Sequence, residues 1–224
     1  MAWAVALLAV VVLAGCQTSP LDNPTGTRAG LAATATSRQA AARAVIAGVT
    51  TAGRGPRTGY GRDQFGPSWT DDVSVPLGHN GCDTRNDVLR RDLLSVTTRP
   101  GTHDCVILSG RLVDPYTART IDFAKAQATK VQIDHVVPLS YAWQLGAARW
   151  TAERRTDFAN DPLNLLAVDG PTNESKSDSG PASWLPPNTS VRCSYAVRFA
   201  QVARRYRLPV TSADKAMMAD QSGG

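Results

Sequence analysis

Val131-Gln132-Ile133-Asp134-His135-Val136-Val137-Pro138-Leu139 sets two ionisable side chains at the end of an apolar, strand-like run, just ahead of a proline that stops it. Burying an Asp-His pair in such a run costs several kcal/mol unless something compensates. A bound metal ion is one compensation; a plain structural bond between Asp134 and His135 is the other reading. Neighbouring residues on a strand face opposite sides, so the two side chains should divide two jobs, one as ligand and one as base.

Two further polar elements follow. In Asn160-Asp161-Pro162-Leu163-Asn164-Leu165-Leu166, Asn164 opens a strongly apolar strand. In Asn173-Glu174-Ser175-Lys176-Ser177-Asp178, a polar turn enters a helix whose start suits Pro171. The order is strand, strand, helix. Upstream, Asp83 is placed to cap a helix from Thr84 to about Leu94. Residues 105–113 and 120–123 read as strands around an Asp114-Pro115 turn, with further strands at 131–133 and 164–168. Helices are expected at 38–49, 139–148, 151–159, 190–206 and 211–219. The Gly- and Pro-rich stretch 52–72 reads as an ordered loop whose Tyr60, Phe65 and Trp69 pack onto the domain. This is an α+β pattern with short strands and more helix than sheet.

The combination Asp134-His135-x-x-Pro138-Leu139, then Asn164-Leu165, then Asn173-x-x-Lys176 resembles the HNH nuclease family. Within it, the pattern is most similar to the branch that includes the C-terminal domain of GmrSD restriction enzymes. Gly81-Cys82-Asp83-Thr84-Arg85-Asn86 and Leu112-Val113-Asp114-Pro115-Tyr116-Thr117 resemble exported actinobacterial members of that branch. The resemblance implies a ββα-metal core with additional flanking helices and a metal-dependent endonuclease acting on nucleic acid, DNA before RNA. It implies His135 as general base, Asp134 and Asn173 as ligands to one divalent ion, and Asn164 as the brace of the loop carrying the histidine. Two side-chain oxygens suit Mg²⁺ or Mn²⁺ better than zinc. Lys176 lies one helical turn beyond Asn173; it either contacts a phosphate or stays solvated beside Asp178. Arg85 either holds phosphate or pairs with Asp83. No nucleotide cofactor is called for. The rival reading is a non-catalytic surface protein that keeps this frame to bind nucleic acid or another partner.

The remaining sequence bears on location. A net charge of +5 over 224 residues suits a polyanionic partner. Ala2 to Ala14 is an apolar run of signal-peptide length, and Leu13-Ala14-Gly15-Cys16 resembles a lipobox, although no basic residue precedes it. The expected organisation is therefore a signal at 1–15, a linker at 16–37 tethered to the membrane by lipid on Cys16, and a short helix and loop at 38–58. The nuclease domain follows at 59–219, with a disordered tail at 220–224. Of the other cysteines, Cys82 and Cys105 are close enough in sequence to clamp a short segment, worth roughly 3 kcal/mol. Cys193 is then left free or paired outside the chain.

Overall fold

In the computed structural model, residues 36–223 are described. Their central piece is an antiparallel ribbon of β4 (Val131–His135) and β5 (Leu165–Asp169), with Asp134 opposite Leu166 and His135 opposite Leu165. Alternation along the strands splits the ribbon between two cores. Val131, Ile133, Leu165 and Ala167 face one apolar cluster with Val88, Leu89, Ile107, Leu112 and Phe123. Leu166 and Val168 face the other, larger one, which continues into Val136 and Val137. A ribbon with both faces covered needs apolar residues at successive positions, and the buried run Leu165–Asp169 supplies them.

The smaller core is closed by α2 (Thr84–Asp92) and a three-stranded antiparallel sheet in the order β1 (Leu94–Thr98), β2 (Ile107–Val113), β3 (Thr120–Ala124). Asp83 caps α2 as expected, accepting the Asn86 backbone N–H at 2.8 Å. The helix ends two residues early because Leu93 turns extended and the chain pairs as β1. That strand was not foreseen; its pairing with β2 is irregular in register, and Ser95 within it has a φ of 52°. Buried Arg91 and Asp92 tie α2 to the ribbon. Arg91 donates to the carbonyls of Pro162 and Leu165 at 2.8 and 2.7 Å, while Asp92 accepts the Ala167 N–H at 2.9 Å.

The larger core is helical. It packs α1 (Thr36–Ala47), α3 (Leu139–Gln144), α4 (Ala152–Asn160), α6 (Arg192–Arg205) and α7 (Ser212–Gln221) around Tyr141, Phe158, Tyr195, Phe199 and Tyr206. Along α6, Arg198 donates to the Leu163 carbonyl at 3.0 Å and Arg205 pairs with Asp161 at 2.9 Å. Helix α7 runs to Gln221 and Ser222 is buried, so packed structure extends past the expected end at 219. Short α5 (Gly170–Lys176) leaves β5 at once, capped by the Asp169 carboxylate, which accepts the Thr172 N–H at 3.0 Å.

Cys82 and Cys105 form the expected disulfide, with Cα atoms 5.1 Å apart. Cys193 is not free: it is disulfide-bonded, and it is buried on the face of α6 that packs into the large core. Cys16 and the signal and linker segments lie outside the described residues. Among the described residues, no helix is long and apolar enough to cross a membrane.

Candidate active site

Strand β4 delivers Asp134 and His135 to one cleft of about 550 Å³, also lined by Arg57, Arg62, Trp69, Arg85, Gln132 and Asn173. The two side chains find different partners, as their opposite directions require.

The Nε2 atom of His135 sits 2.8 Å from the carbonyl oxygen of Ala159 at the end of α4. A carbonyl can only accept, so Nε2 carries the hydrogen. The neutral ring then holds its lone pair on Nδ1, which is bonded to no described residue, and His135 lines the cleft. Burial lowers the imidazole pKa to about 4, and the Arg62 guanidinium pushes the same way. The ring is therefore neutral, with an unbonded Nδ1, across the ordinary pH range. Trp69 stacks on it with centroids 5.9 Å apart and planes 12° apart. Trp69 holds a left-handed φ of 60°, uncommon for a bulky side chain, and the surrounding loop keeps it there.

Asn164 is fully buried at the start of β5. Its Oδ1 accepts the Val137 N–H at 2.8 Å, and its Nδ2 donates to the carbonyls of Val137 and Phe158 at 3.2 and 3.4 Å. The Asn164 backbone carbonyl accepts the Val136 N–H at 2.8 Å. Asn164 thus grips the two residues after His135 and does not line the cleft.

Asp134 is held on both oxygens. Oδ2 accepts the Tyr116 hydroxyl at 2.5 Å and Oδ1 accepts the Lys176 ammonium at 2.8 Å. Tyr116 arrives from the β2–β3 turn. That turn is tied by Asp114, whose carboxylate accepts the Thr117 and Asp169 N–H groups at 2.9 and 3.1 Å. The sequence marked this motif as family-like, but nothing in it indicated that the tyrosine reaches Asp134. The structure also departs from both readings of Lys176. The side chain is 0% exposed and donates a second bond to the His135 carbonyl at 2.8 Å, so it reaches neither solvent nor substrate phosphate. Burial lowers its pKa, and Asp134 opposes that shift.

Asn173 donates through Nδ2 to Gln132 Oε1 at 2.8 Å, and Gln132 Nε2 donates to Glu174 at 2.8 Å. This chain fixes which end of the Asn173 amide is engaged and leaves its Oδ1 as the end available to a ligand. Arg85 lines the cleft but spends donors on the carbonyls of Val131 and Ala128 at 3.1 and 3.3 Å, and burial lowers its pKa. It is therefore bonded to backbone and not to Asp83. Arg57, in a loop, and Arg62, at the start of a single 3-10 turn (Arg62–Phe65), were missed because neither stretch is long enough to show a period; Arg57 pairs loosely with Asp178 at 3.5 Å.

Among the described residues, no group of three or more His, Cys, Asp or Glu could cage a metal. Asp134 and Asn173 nevertheless line one cleft. A carboxylate oxygen has two lone pairs, and each oxygen of Asp134 has accepted one bond. That donor set fits a hard cation that keeps most of its waters.

Ribbon, helix and cleft define a mixed α/β domain with small sheets and a histidine-bearing, arginine-rimmed site. Residues 83–221 match the family described as GmrSD restriction endonucleases, C-terminal domain, and the chain belongs to that family. It is also 40% identical over 214 residues to an "Uncharacterized secreted protein" of Arthroderma benhamiae, covering 95% of this chain and 93% of that one. No solved structure matches the chain.

Proposed function

We propose that this is an exported, metal-dependent endonuclease of the HNH type, in which β4, β5 and α5 form the ββα-metal unit and His135 is the general base. The observation that carries the reading is the fixed tautomer. A histidine locked through Nε2 to a backbone carbonyl, with Nδ1 unbonded and the residue lining an arginine-rimmed cleft, is set to take a proton. Family membership supports a nuclease-related role, and the secreted relative supports export.

In the proposed reaction, Nδ1 removes a proton from water as its oxygen attacks phosphorus. The bond from phosphorus to one ester oxygen breaks, and that oxygen leaves with a proton from solvent. The imidazolium formed is stabilised through its Nε2–H bond to Ala159, while Trp69 holds the ring plane. A general base in this position contributes roughly a hundredfold to ten-thousandfold in rate. Asp134 and Asn173 would hold one Mg²⁺ or Mn²⁺, whose chemistry is to relieve charge on the phosphate and leaving oxygens. Arg57 and Arg62 anchor the flanking backbone. Nothing in the cleft is arranged to read base edges, so cleavage should show weak sequence preference and strong salt dependence.

Incubating the purified protein with supercoiled plasmid and Mg²⁺, Mn²⁺, Ni²⁺ or Zn²⁺, with and without EDTA, tests this. Nicking that EDTA abolishes is expected. Binding without cutting under every metal would favour the non-catalytic reading.

A further inference from the structure

Lys176 is the least expected group in the site: a lysine with no exposed surface, its ammonium bonded to the one carboxylate proposed to face a metal. Long cationic side chains are almost never fully buried without a partner, and here the partner is Asp134. The Tyr116 hydroxyl donates to the other carboxylate oxygen, so the negative charge of Asp134 is neutralised from inside the protein before any cation arrives. The rest of the surroundings does not restore it. Asn173 is neutral. Glu174 is engaged by Gln132, and Asp178 faces Arg57 and accepts from Ser140 at 3.1 Å. Arg57, Arg62 and Arg85 line the same cleft. Four cationic side chains thus stand against three anionic ones around the proposed ion position. A free divalent cation gains little there, whereas a phosphodiester is attracted and brings the anionic oxygens the protein withholds.

We propose that Lys176 is a built-in counter-charge for Asp134, and that the divalent ion is therefore taken up together with the substrate phosphate and not ahead of it. This rests on the nuclease reading above and adds a binding order to it. Lys176 acts through Asp134, as a positioning residue. Coupling between two ligands is reciprocal, so the ion tightens nucleic acid by the same factor as nucleic acid tightens the ion.

The test is Mn²⁺ titration of the full mature chain at constant ionic strength, with free Mn²⁺ read by electron paramagnetic resonance. It is run without and with a DNA oligonucleotide on His135→Ala, which prevents turnover. Mn²⁺ affinity is expected to rise at least about tenfold when the oligonucleotide is present. Equal affinity in both arms would overturn the proposal. Lys176→Met supplies the opposite sign: an uncompensated Asp134 should bind Mn²⁺ at least about tenfold more tightly in the absence of DNA. A lysine that merely supports the fold would give weaker binding instead, which contradicts the proposal. Should Lys176→Met fail to fold by circular dichroism, the two-arm comparison alone decides. A wild type that nicks plasmid while its His135→Ala form shows no coupling defeats only the binding order. A wild type that neither nicks nor binds Mn²⁺ defeats both readings.

Discussion

Replacing Asn164 by alanine tests whether His135 is positioned by the strand start behind it. The substitution leaves the Val137 N–H without an acceptor in a fully buried place, at about 1–3 kcal/mol. The donors at 3.2 and 3.4 Å are the weaker bonds, and losing them with the amide volume adds about 1 kcal/mol. The expected destabilisation is about 3 kcal/mol, within the usual margin of roughly 5–15 kcal/mol, so the variant still folds at 25 °C. Val137 is two residues from His135, and loosening it lets the imidazole drift; a displacement of about 1 Å costs on the order of a hundredfold in rate. Urea unfolding gives the stability term. Steady-state cleavage of a labelled oligonucleotide under folded conditions gives the other, with kcat falling about a hundredfold and KM changing less than about threefold. Asn164→Asp should not rescue, because it sets a carboxylate oxygen against the Val137 and Phe158 carbonyls. A variant about 3 kcal/mol less stable that keeps wild-type kcat would refute the positioning argument, leaving Asn164 a structural residue alone.

Other predictions concern charge and covalent state. Because the imidazole is active when neutral and burial depresses it to about 4, kcat/KM should rise with pH through a midpoint near 4 and be flat at neutral pH; a midpoint near 6.5 would contradict the buried, Nε2-locked ring. The same depression makes the unfolded chain bind the proton first as pH falls from 6.5 towards 4, so His135 removes about 3 kcal/mol of stability across that window. Asp87, raised by burial to about 6, acts in the opposite sense, so the measurement is the difference between wild type and His135→Gln. Arg62→Ala should raise KM and flatten the salt dependence of DNA binding by about one counterion, with little change in kcat. Cys82 is joined to Cys105 within the chain. Replacing both by serine should cost roughly 3 kcal/mol in urea unfolding; unchanged stability would contradict the clamp.

The sequence carried the centre of the site further than its surroundings. Asp134, His135 and Asn164 could be read because each is a polar side chain interrupting an apolar or strand-like pattern, where burial demands a reason; Asn173 stood out only through the family resemblance. Lys176 misled because helical spacing says which residues neighbour one another, not which face turns inward. Only the packing of α5 under β4 makes it a counter-ion. Trp69, Arg57 and Arg62 come from loops and one short turn, where position depends on long-range contacts such as the stacking of Trp69 on His135. Tyr116 was visible as part of a turn motif, but its reach to Asp134 depends on the pairing of β2 with β3. Strand β1 was hidden because it is five residues long, half-exposed and follows directly on α2.

The most direct measurement is single-turnover cleavage of a DNA duplex by wild type and His135→Ala at neutral pH with saturating Mn²⁺. The rate should drop by at least about a hundredfold while DNA affinity and folding are kept. Cleavage by the alanine variant within about tenfold of wild type would remove His135 from the chemistry, and the general-base account with it.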